Sequence, residues 1–139
     1  MFLLDTNVVS ELRRTSLGRA NPAVERWAES VASGDLYLSV VSLEELEIGV
    51  LLMERRDNRQ GLMLRRWFDE HVVPAFANRI LPIDTAIVSR SARLHVPDPR
   101  AIRDAYIAAT ALVHGLTLVT RNEADFASTG VTLLNPWGS

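Results

Sequence analysis

The chain has 139 residues, 47% of them hydrophobic and 23% charged, which suits one globular domain with its own core. It contains no cysteine and no lysine, which excludes disulfides, thiolate metal sites, a P-loop lysine and a Schiff-base lysine. Fifteen basic residues, all arginine, against 17 acidic ones leave a net charge of −2, unlike the basic balance usual in nucleic-acid binders.

The first element is Phe2-Leu3-Leu4, an apolar run that reads as a buried strand and ends on Asp5. Asp5 is a natural N-cap for a helix beginning "DTNVVSEL". Asn21-Pro22 starts the next helix, with Val24, Trp27, Ala28 and Val31 on one face and Gly34 ending it. "LYLSVV", Leu36 to Val41, reads as a short strand. Ser42 is then expected to open a helix with Leu43, Leu46, Val50 and Met53 on its core face. The arginine-rich stretch from Arg55 to Arg66 reads as a turn or helix break around Gly61. A further helix carries Leu64, Trp67, Phe68 and Val72 and ends near Pro74. "RILPI" is a short strand, and Asp84 caps a helix bearing Ile87, Val88 and Leu94. Asp98-Pro99 is expected to start an alanine-rich helix over Arg100 to His114 that stops at Gly115. "LTLVT" and "VTLLN", Val131 to Asn135, are the last strands.

Helices alternating with short apolar strands predict an α/β fold: a short central parallel sheet flanked by helices on both faces. No repeat or linker divides the chain, so residues 1–139 are expected to form one domain. No apolar stretch approaches the ~20 residues of a membrane span. No charged segment precedes an apolar one as in a signal peptide, and the cytoplasm is the expected compartment.

In parallel sheets ligands sit beyond the carboxyl ends of the strands. Asp5 ends the first strand, and "TRNEAD" follows "LTLV". Glu45 has two readings. Ser42-x-x-Glu45 matches a capping box, yet Glu45 also shares a helical face with Ile48, Gly49 and Leu52. Glu44, Glu47 and Glu54 fall on the polar side instead. Asp104, expected mid-helix, has only apolar neighbours at Ile107, Ala108 and Ala111. Its alternative is an ion pair with Arg100, in the less favourable orientation. Asn122 and Asp125 suit a turn or cap as well as a site.

Converging carboxylates would raise one another's pKa unless a cation sat among them. Oxygen-only ligands select Mg²⁺ or Mn²⁺, ions that activate water and stabilise charge on a phosphate. The histidines lack metal-ligand spacing, and no G-x-S-x-G motif supports a serine hydrolase. The residues themselves therefore point to a metal-dependent phosphodiesterase, provided the acids meet.

"FLLDTNVVSEL", "LSVVSLEELEIGV", "IRDAYIAATALVHGLTLVTRNEADF" and the closing "NPW" together resemble PIN-domain ribonucleases, the VapC-type toxins of toxin–antitoxin pairs, in their FitB-like branch. The resemblance spans nearly the whole chain, in order. It implies a PIN-like fold and hydrolysis of RNA to 5′-phosphate and 3′-hydroxyl ends. It carries the catalytic acids onto Asp5, Glu45, Asp104 and Asp125. Metal contacts fall on Asp5, Glu45, Asp104 and Asn122, and either Asn122 or Asp125 fills the fourth position. Asn7 and Thr120 match the family's supporting polar residues. The implied cofactor is Mg²⁺ or Mn²⁺. The implied partners are the RNA substrate, a second copy of the chain and a cognate antitoxin whose arginine plugs the acidic site, in assemblies that can grow beyond the dimer.

RNA must still approach a chain of net negative charge. Arg13 and Arg14, and Arg65 and Arg66 within the densest basic stretch, are the candidates to line its path; a solvated helix face describes them equally well. Two other classes share parts of the pattern. A non-catalytic RNA- or protein-binding module would keep the fold without the reaction. An aspartate-based phosphotransfer domain would use Asp5, but the late lysine of receivers and the D-x-D of dehalogenases are both missing.

Overall fold

The computed structural model describes residues 1–138. Its strands are β1 (Phe2–Leu4), β2 (Leu36–Ser39), β3 (Ile80–Leu81), β4 (Thr117–Val119) and β5 (Leu133–Leu134). All pair in parallel, in the order β3-β2-β1-β4-β5. The helices are α1 (Thr6–Arg13), α2 (Pro22–Ser30), α3 (Val40–Arg56), α4 (Asn58–Trp67), α5 (Val73–Ala75), α6 (Thr85–Leu94) and α7 (Ile102–His114). Among the described residues no helix is long and apolar enough to cross a membrane.

Strand alternation divides the interior. Leu4, Leu36, Leu38 and Val119 point to one face, where they meet Val8, Val9, Leu46, Val50, Phe68 and Val72. Leu3 and Leu118 point to the other, against Ile107, Ala108, Ala111 and Phe126. Both faces are thus covered, as continuous apolar strands require.

The strand order reverses between β1 and β4. The chain winds outward through β2 and β3 on one side, then crosses to β4 and β5 on the other. Loops leaving neighbouring strands diverge at such a point and open a crevice at the carboxyl edge of the sheet. Asp5 follows β1 there and Thr120 follows β4, and the Asp5 amide donates to the Val119 carbonyl at 2.9 Å.

Three expected boundaries move. Helix α3 starts at Val40, because the Ser39 hydroxyl accepts the Val41 amide at 3.0 Å and caps it. Ser42 is consequently buried inside the helix with its hydroxyl unpaired, and the Ser42–Glu45 capping box does not form. The break between α3 and α4 falls at Asp57, which accepts the Gln60 amide at 3.0 Å, and not at Gly61. Gly61 is buried within α4, where a β-carbon would lie 2.4 Å from Glu54 Cα. It lets two helices touch and does not end one. Helix α7 begins at Ile102, beyond the expected Asp98-Pro99 start. Arg100 donates to the Leu94 carbonyl and to the Ser128 hydroxyl, each at 2.9 Å, and this holds the preceding loop out of the helix.

Candidate active site

Asp5 directly follows β1 and is the N-cap of α1. Its Oδ1 accepts the Thr6 amide at 2.8 Å. Its Oδ2 accepts the Thr120 hydroxyl at 2.8 Å and Asn7 Nδ2 at 3.4 Å. Cap and site therefore share one carboxylate. Asp5 is buried, and burial pushes its carboxyl above the usual range. The bonds from Thr120 and Thr6 pull it back, while the charges of Glu45 and Asp125 push it further up.

Asn7 and Thr120 also stitch the two strand ends together. The Arg121 amide donates to Asn7 Oδ1 at 3.4 Å, and the Asn122 amide donates to Thr120 Oγ1 at 3.0 Å.

Glu45 reaches the same place from α3. It is half-buried, and its Oε1 accepts the Thr6 hydroxyl at 2.6 Å. The face it shares with Gly49 and Leu52 turns out to solvent at those two residues, so Glu45 stands at the rim. Glu44 is exposed and lies 4.0 Å from Arg103. Thr6 is a site residue that the sequence reading passed over. Its signal was available: a hydroxyl directly after the strand-ending acid.

Asp104 lies in the first turn of α7, not mid-helix. A helix N-terminus favours an anion. Even so, its carboxyl is pushed up to about 6, first by burial and then by the charges of Asp5, Asp125 and Glu45. Arg100 gives it no relief, being bonded to Leu94 and Ser128. Ile107, Ala108 and Ala111 are buried beneath it, as their spacing requires.

Asp125 and Asn122 occupy the turn after β4. Asp125 is exposed, yet its charge is felt at both Asp5 and Asp104. Asn122 is anchored through its backbone to Thr120 and accepts the Asp125 amide at 3.1 Å. The charges of Glu45 and Asp125 thus bear on both Asp5 and Asp104, so acids from four segments share one electrostatic neighbourhood.

The donor set is all oxygen. Among the described residues no group of three or more His, Asp or Glu side chains is placed to hold a metal ion as the side chains stand. An open set of mutually repelling acids fits a hard ion that keeps several of its own waters, as Mg²⁺ does.

The candidate RNA-path arginines do not share one environment. Arg65 bonds Glu47 at 2.9 Å and Glu54 at 3.2 Å, lies 3.6 Å from Asp69 and stacks on Phe68. It departs from the expected role: its charge is matched inside the fold, tying α4 to α3. Arg14 sits 3.6 Å from Glu11, and Arg13 stacks on Trp67. Arg13 and Arg66 line an apolar groove with Leu17, Met63 and Trp67, and none of the four acids contributes to it.

Residues 2–131 match the PIN domain family. The chain is 38% identical over 143 residues to toxin FitB of Neisseria gonorrhoeae, covering 99% of both chains. It is 34% identical over 142 residues to VapC ribonuclease Y4jK of Sinorhizobium fredii, covering 99% of this chain and 98% of the relative. The crystal structure of FitAcB from Neisseria gonorrhoeae is similar with a TM-score of 0.88 at 36% identity, covering 99% of both chains. This chain belongs to the PIN domain family.

Proposed function

We propose that the chain is a metal-dependent endoribonuclease that hydrolyses RNA phosphodiester bonds as the toxin of a toxin–antitoxin pair. The observation that carries this reading is the gathering of acids at the sheet's switch point, where burial, and then the charges of Asp5, Asp125 and Glu45, push the Asp104 carboxyl up to about 6. A relative named a toxin and another named a VapC ribonuclease support it.

Asp5, Glu45 and Asp104 would hold Mg²⁺ or Mn²⁺, with Asn122 or Asp125 in the fourth position. Such an ion, when bound, supplies an activated water and neutralises charge on the phosphate. The chain's own residues fix the acids beforehand. Thr120, Asn7 and the Thr6 amide hold Asp5, and the Thr6 hydroxyl holds Glu45. A carboxylate mounted on a strand end and bonded on both oxygens pays little to reorganise during the reaction.

A cluster of acids also suits a cationic plug. An arginine from a cognate antitoxin would pair with the acids and silence the site. The chain would act as a homodimer in the cytoplasm.

The test is cleavage of RNA by the purified chain with Mg²⁺ or Mn²⁺, with EDTA, and with Asp5→Asn. Cleavage that stops with EDTA and with Asp5→Asn is expected. Cleavage that survives both overturns the reading.

A further inference from the structure

The Arg121 side chain and the closing Asn135-Pro136-Trp137 bond none of the four acids, yet Arg121 and Trp137 meet next to the turn that follows Thr120. Arg121 directly follows Thr120, whose hydroxyl bonds Asp5. Its amide is bonded to Asn7, so its backbone is pinned beside the carboxylates. Its guanidinium lies 5.3 Å from the centre of the Trp137 ring.

The Trp137 seat is itself fixed. The ring packs partly buried against the core that holds Leu4, Val9 and Val119. The Trp137 amide donates to Asn135 Oδ1 at 3.0 Å, and Asn135 Nδ2 donates to Glu123 at 3.1 Å. That bond engages the carboxylate two residues from Arg121. Among the described residues Arg121 forms no ion pair, although the turn it opens carries Glu123 and Asp125. Arg65 makes the contrast: it is paired to Glu47 and Glu54. An arginine stacked on an indole keeps its in-plane N–H donors free, and these match a phosphate.

We propose that Arg121, seated on Trp137, grips a backbone phosphate of the RNA beside the acids, an assignment that rests on the nuclease reading above. Four carboxylates repel an approaching polyanion, and a net charge of −2 offers no general attraction. A fixed cation at the rim answers both. Arg121 touches the substrate; Trp137 is a positioning residue that acts through it.

The experiment measures binding of a labelled, mixed-sequence single-stranded RNA to the Asp5→Asn chain by fluorescence anisotropy across a salt series. Sequence-independent phosphate contacts are what such a probe reads. Adding Arg121→Ala should weaken binding about tenfold at low salt and flatten the log–log salt slope by about 0.7. Arg121→Lys should recover the slope but not all of the affinity. Trp137→Leu keeps an apolar residue against the core; it should weaken binding alone and add nothing to Arg121→Ala. An Arg121→Ala chain with unchanged affinity and slope overturns the proposal. A Trp137→Leu effect that simply adds to Arg121→Ala overturns the seating role. The parent reading fails separately, if the wild-type chain shows no Mg²⁺-dependent cleavage. If cleavage is intact and Arg121→Ala keeps the wild-type KM, only this inference fails.

Discussion

The Thr6 hydroxyl donates to Glu45 Oε1 at 2.6 Å, while the Thr6 amide donates to Asp5 Oδ1 at 2.8 Å. One residue at the β1–α1 junction therefore orients two acids that lie 40 positions apart in the chain. Glu45 takes its geometry from the strand end and not from a cap of its own helix.

Thr6→Val keeps the side chain's shape and removes that donor. A hydrogen bond to a charged group contributes about 1.5–3 kcal/mol. Since ~1.4 kcal/mol is tenfold in rate, kcat/KM for RNA cleavage should fall about 10- to 100-fold. Thr6→Ser should stay near wild type in rate and melting temperature, whereas Thr6→Val should also melt several degrees lower. Steady-state kinetics with thermal melts on the same samples checks this.

Asp104 carries a stability signature in the metal-free chain. Its carboxyl titrates at about 6 in the fold against an ordinary 3.8, so the folded state binds the proton more tightly than the unfolded state. Stability is therefore full below about pH 4 and is lost as pH rises toward about 6. With EDTA present, Asp104→Asn should melt at a higher temperature than wild type at pH 8. The two should converge near pH 4. Mg²⁺ should raise the melting temperature of wild type at pH 8 but not that of the variant. Equal curves at all pH values would contradict the crowding of acids around Asp104.

The acids were legible where strand or helix period decided their direction. Asp5 closes an apolar run, and Asp104 sits over Ile107, Ala108 and Ala111, so both were aimed before any fold was drawn. Element ends were harder, because one residue type serves several roles. Ser39 and Ser42 are both good caps, and Val40 and Val41 favour a strand. The Ser39 hydroxyl, not that of Ser42, accepts the Val41 amide and sets the start at Val40, a choice between two nearby serines that local sequence does not encode. Asp98-Pro99 carried a start signal that Arg100 overrides through bonds to Leu94 and Ser128, partners up to 28 residues away. Arg65 read as surface charge for the same reason. Its partners Glu47 and Glu54 reach it only once α3 and α4 are folded together.

Gly61 supplies a test of that helix pair. A β-carbon there would meet Glu54 Cα at 2.4 Å, a backbone atom that cannot swing aside. Although alanine is the better helix former, Gly61→Ala should destabilise the chain by about 1–3 kcal/mol through overpacking. Urea unfolding with an unchanged m-value checks it. A stabilised variant would mean that α3 and α4 part easily.

The central claim is that Asp5 anchors a hard-cation site and not merely a helix cap. Asparagine caps about as well as aspartate, so Asp5→Asn should fold with a melting temperature near wild type. The direct measurement is Mn²⁺ uptake, read by the loss of the free-ion EPR signal on titrating wild-type and Asp5→Asn chains. Wild type should take up one or two ions per chain and the variant none in the same range. Equal uptake by both would contradict the account.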